Sequence, residues 1–146
     1  MKYRITTTKS RDCYCIIARL FAGEEINATL KALARERSIP SAALTGLGAV
    51  SDVTLAFYDP ARRVYLETRL TEDLEVASMT GNIAWVGDEP MIHVHGVVSR
   101  ADCTTAAGHI MRGVVSATLE VMLTVYPERI VRTLDAGVGL NLLDLA

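Results

Sequence analysis

Alternation and helical spacing divide the chain before any residue is counted. Residues 12 to 20 read as a strand that contains Cys13-Tyr14-Cys15-Ile16-Ile17. Gly23-Glu24-Glu25 then opens a helix running to about Arg37, on which Ile26, Leu30, Leu33 and Ala34 recur at helical spacing. Glu24 and Glu25 stand at the positive end of its dipole, Arg35 and Arg37 at the negative end. Ser38-Ile39-Pro40 stops it. Residues 41 to 50 regain β character, interrupted by Gly46 and Gly48, which predict a bulge or close backbone packing. Residues 53 to 58 continue as a strand, Asp59-Pro60-Ala61-Arg62 turns, and residues 64 to 70 return as a hairpin partner. Residues 74 to 86 form a further strand with a bulge expected at Gly81, and Gly87-Asp88-Glu89-Pro90 turns the chain into a second hairpin. Val114, Val115, Thr118, Val121, Thr124 and Val125 make residues 113 to 125 a strand, which Pro127 breaks. Residues 129 to 134 give a shorter strand, and the apolar segment 138 to 145 packs on the sheet. Many strands, one main helix and hairpin-length connections predict a single α+β domain over residues 1–146 with a largely antiparallel β-sheet.

The second hairpin carries the chemistry. Its returning strand, residues 91 to 98, contains His93-Val94-His95, and residues two apart on a strand share a face. Ile92 and Val94 then turn the other way. The remaining histidine, His109, follows Gly108, which lets the backbone approach closely. Neutral imidazole binds zinc and similar divalent metals, and three imidazoles leave a fourth coordination position open. The spacing equally allows a pair that hydrogen-bonds across a sheet or lines a subunit contact. Cys103 is a candidate fourth ligand or a plain loop thiol. Glu75 is the first candidate for a general base beside a metal, against an ordinary exposed carboxylate. Arg112, near His109, is a candidate for holding an anion in a bidentate manner, against a solvated surface arginine. No residue declares itself catalytic, so the pattern leaves open whether the chain is an enzyme.

Composition narrows the classes. Half of the 146 residues are hydrophobic, rich for a soluble monomer, and this predicts a subunit interface. No apolar run approaches the roughly 18 residues of a membrane span. Met1-Lys2-Tyr3-Arg4-Ile5-Thr6-Thr7-Thr8 lacks the apolar core of a signal peptide, which predicts a cytoplasmic protein. The net charge is −2, and Arg35 and Arg37, Arg62 and Arg63, and Arg129 and Arg132 are scattered, unlike the dense basic patch of a duplex-binding domain. Three cysteines argue against a disulfide framework, and Cys13 and Cys15 read as small core hydrophobes. Gly46-Leu47-Gly48 is too short for a dinucleotide fingerprint.

The order of motifs is distinctive. Leu20-Phe21-Ala22-Gly23-Glu24-Glu25 precedes the helix, followed by Gly46-Leu47-Gly48-Ala49-Val50-Ser51-Asp52-Val53-Thr54-Leu55, then Tyr58-Asp59-Pro60. Next come Leu74-Glu75-Val76-Ala77-Ser78-Met79-Thr80-Gly81-Asn82-Ile83, Gly87-Asp88-Glu89-Pro90, His93-Val94-His95, Gly108-His109 and Ala117-Thr118-Leu119-Glu120-Val121. From about residue 3 to residue 144 this resembles the PPC domain (plants and prokaryotes conserved, also called PCC) in its standalone prokaryotic form. The resemblance implies an antiparallel α+β fold assembled as a homotrimer and a DNA-associated or regulatory role. It also implies a zinc or other divalent metal, which would fall on His93, His95 and His109. The alternative is a metal-dependent enzyme or small-molecule sensor using the same three histidines. The chain carries no Arg-Gly-Arg-Pro hook for the DNA minor groove, and Ala107-Gly108-His109 stands where the family has Gly-Gly-His. Thr71-Glu72-Asp73-Leu74-Glu75-Val76 replaces the aromatic hexapeptide of the plant partner-binding stretch.

Overall fold

The computed structural model describes residues 1–7 and 13–145. Nine strands and one helix follow in the order β1 (Lys2–Thr7), β2 (Tyr14–Phe21), α1 (Ile26–Glu36), β3 (Ser41–Asp59), β4 (Val64–Leu70), β5 (Leu74–Val86), β6 (Glu89–Ser99), β7 (Thr105–Tyr126), β8 (Val131–Asp135) and β9 (Leu140–Asp144). Every pairing between them is antiparallel except the single parallel bridge Trp85↔Val131 between β5 and β8. The strands β3, β5, β6 and β7 pair in a closed cycle, β3 with β5 and β7, and β6 with β5 and β7.

The helix forms where its spacing predicts. Glu25 caps it, its carboxylate accepting from the backbone N–H groups of Asn27 and Ala28. Ile26, Leu30, Leu33 and Ala34 are fully buried and pack with Ile16, Leu20, Val94, Ile110 and Leu119 of the sheet. Burying one such aliphatic side chain stabilises the fold by about 1.5–3 kcal/mol.

Several expectations change. The strand expected from residue 12 begins at Tyr14, and residue 12 itself lies outside the described residues. Residues 41–59 do form one continuing strand with an irregularity at its glycines, the register against β5 shifting between Gly46 and Gly48 and that against β7 shifting before Val50 and before Asp52. The strand expected at 113–125 begins eight residues earlier and carries His109 within it. Gly81 is no bulge: Leu44 and Val94 stay in register on either side of it, and the shift in β5 falls between Val76 and Ser78. Its smallness serves close approach instead, since a Cβ there would lie 2.0 Å from the carbonyl oxygen of His93. Cys15 is half-buried beside the core, because Ile16, Ala18 and Leu20 take the inward face of β2.

Candidate metal centre

Alternation on β6 places the histidines. Ile92, Val94 and Val98 are buried in the core, so His93 and His95 stand on the opposite face. Register then assembles the site. His95 lies directly across from His109 on β7, and Asn82 and Thr80 of β5 lie across from His93 and His95. Gly108, just before His109, lets β7 lie close against β3, because a Cβ there would meet the Ala56 carbonyl oxygen at 2.9 Å.

The three rings form a near-equilateral triangle. Their centroids are 5.3 Å apart for His93 and His95, 5.1 Å for His93 and His109, and 5.2 Å for His95 and His109. One ring nitrogen from each lies within 4.8 Å of the other two. Among the described residues this is the one cluster of three or more histidine, cysteine or acidic side chains able to share an ion. His109 Nδ1 is buried and has no hydrogen-bond partner. Leaving such a nitrogen unsatisfied costs about 1–3 kcal/mol, and a metal bond removes the deficit. Burial, then the neighbouring His93 and His95, pull the His109 pKa down to about 4. Burial, Arg132 and His95 pull His93 down as well. Both imidazoles are therefore neutral near pH 7, the form that ligates metal. The residues fit a divalent ion with three nitrogen ligands and an open position.

Around the triangle stand aromatic and cationic groups. Tyr65 of β4 lies 5.3 Å from the His109 ring, centroid to centroid, and Tyr58 lies 5.1 Å from Tyr65. Tyr58 donates its hydroxyl proton to the Val138 carbonyl oxygen, 2.6 Å away. Arg132 of β8 is 7 % exposed, and its Nη2 donates to Asn82 Oδ1 at 2.9 Å and lies 3.1 Å from His93 Nδ1. Its Nη1 donates to the Asn141 carbonyl oxygen at 2.9 Å. On the α1 side a cavity of about 480 Å³ is walled by Asn27, Lys31, Met91, His109 and Arg112.

The other residues singled out by sequence fall elsewhere. Glu75 pairs across from Ser99, four residues beyond His95 on β6, which is roughly 13 Å at 3.3 Å per residue. The structure does not bring it to the histidines. Arg112 lines the same cavity as His109 but donates to Asp52, which also accepts two bonds from Arg69. These two guanidiniums, Arg69 foremost, hold the Asp52 carboxyl well below the usual carboxylate range. Cys103 is exposed in the turn between β6 and β7, away from the triangle. Arg132 reads in the sequence only as one of the scattered basic residues, because a charged residue on a short strand is expected to face outward.

The sequence matches the Plants and Prokaryotes Conserved (PCC) domain over residues 8–127. The chain belongs to the PCC-domain family. Among solved structures it is similar to a candidate DNA-binding protein from Ralstonia eutropha, with 35% identity, 99% of this chain and 96% of that one covered, and a TM-score of 0.85. It is similar to another candidate DNA-binding protein, from Bacteroides thetaiotaomicron, with 30% identity, coverage of 97% and 96%, and a TM-score of 0.86. A metal-containing protein from Archaeoglobus fulgidus shares 26% identity, with coverage of 98% and 99% and a TM-score of 0.83. No curated protein matches significantly.

Proposed function

We propose that this protein is a metal-binding member of its family that holds one zinc or other divalent ion on His93, His95 and His109. The observation that carries this reading is the convergence of three imidazoles on one point, with a buried, unpartnered nitrogen on His109. The metal content of the Archaeoglobus fulgidus relative supports it. A bound ion would supply a Lewis-acidic position for a small ligand, and the chain's own residues would orient that ligand and limit water around it. Elemental analysis of untagged protein is expected to find close to one divalent metal per chain, falling to near zero in His109→Ala. A content unchanged by that substitution defeats the assignment.

The same proposal includes a homotrimer. Large apolar side chains are exposed in cross-strand pairs, Ile17 with Met122 and Phe57 with Leu66. Such patches are characteristic of subunit contacts. Light scattering is expected to give three times the chain mass, and a monomer in dilute solution would overturn this part. Association with DNA is a second reading, favoured by the names of the Ralstonia and Bacteroides relatives. Its weakness is the net charge of −2. It predicts duplex retention at low salt that falls steeply as salt rises; no retention at low salt rejects it.

A further inference from the structure

Arg132 is the one buried charged residue among the described residues, at 7 % exposure. Its hydrogen-bond partners are all neutral: the Asn141 carbonyl oxygen, Asn82 Oδ1 and His93 Nδ1. Its Nε is buried with no partner. A guanidinium taken out of water without a counter-charge is expensive. Buried charges are otherwise paired with an opposite charge.

The contact with His93 sharpens the point. A neutral imidazole offers one lone pair. In the structure that lone pair faces the Arg132 Nη2 donor at 3.1 Å. A metal held on His93 must take the same lone pair. Bound through Nδ1, it displaces the guanidinium. Bound through Nε2, it leaves an N–H on Nδ1, and two donors then face each other. Either way Arg132 loses an acceptor and keeps its charge, beside an ion whose three ligands are neutral. No aspartate or glutamate belongs to the cluster to offset that charge.

Resting on the metal reading above, we propose that Arg132 and the three-histidine centre together form a site for a small oxyanion, a carboxylate or a phosphate group. The anion answers the open metal position and the donor that metal loading frees. Charge-assisted guanidinium bonds are roughly twice as strong as neutral ones, and guanidinium N–H groups pair with the oxygens of a carboxylate or a phosphate.

The test uses the full-length protein loaded with cobalt(II), whose visible absorption reports its ligands, titrated in separate arms with acetate and with inorganic phosphate at constant ionic strength. A saturable spectral change with at least one anion is expected, and the arm that saturates first identifies the ligand class. Arg132→Met is expected to keep the anion-free cobalt spectrum and to weaken anion binding by about tenfold or more. Arg132→Gln, which keeps donors and most of the volume without the charge, is read in its place if the methionine variant does not fold. A cobalt spectrum blind to both anions at millimolar concentrations, or unchanged affinity in the variant, overturns this inference and leaves the metal centre standing. Failure of the native protein to give any cobalt spectrum overturns both.

Discussion

Removing divalent metal with EDTA is expected to lower the melting temperature of the untagged protein by roughly 10 °C, and stoichiometric zinc is expected to restore it. The reason is mass action. The three histidines converge only in the folded chain, because His95 and His109 meet through the register of β6 and β7. A ligand that binds the folded state alone, at 1,000 times its Kd, stabilises by about 4 kcal/mol. For a domain of this size each kcal/mol moves the midpoint by about 2–4 °C. A metal bond to the buried, unpartnered His109 nitrogen would add to this stabilisation. Differential scanning calorimetry before and after chelation, with removal verified by elemental analysis, reads the effect. An unchanged midpoint after verified removal counts against a structural metal here.

Gly81→Ala is expected to destabilise the protein by about 3 kcal/mol or more. The added Cβ would stand 2.0 Å from the His93 carbonyl oxygen and 2.8 Å from Val94 Cα. Both are backbone atoms of β6, so the clash cannot be relieved by a side-chain rotation. The strand that must yield is the one carrying His93 and His95, so metal affinity falls with stability. Gly87→Ala is the control: its φ of +55° imposes backbone strain, but its Cβ would meet nothing within 4 Å. That change costs about 1 kcal/mol. Urea unfolding of both variants decides the matter. Equal losses would mean that β5 and β6 are not packed as closely as the structure has them.

Where periodicity met a buried face, the sequence was informative. The apolar stripe of α1 and the Ile92/Val94 alternation of β6 both follow from burial on one side only. The strand β1 gave only a weak signal, because its apolar face consists of two residues, Tyr3 and Ile5, between Lys2, Arg4 and Thr6. Glycine was ambiguous for a physical reason. At Gly46 and Gly48 it accompanies a register shift, whereas at Gly81 it only makes room for a neighbouring backbone. The pair His93 and His95 was legible from strand geometry alone. The place of His109 beside them depended on cross-strand register, which the residues do not declare. Glu75 shares a strand with Asn82 but lies too far along it, an offset visible only once Ser99 is known as its partner. Arg132 lies between exposed Val131 and exposed Thr133, and its burial comes from the β8–β9 hairpin folding against Asn82 and His93.

Crystals of the untagged protein grown with zinc and measured on both sides of the zinc absorption edge would address the metal centre directly. The account predicts one anomalous peak per chain, about 2.0–2.1 Å from a ring nitrogen of each of His93, His95 and His109. A map with no peak among those three rings, or with zinc held by other side chains, would contradict it.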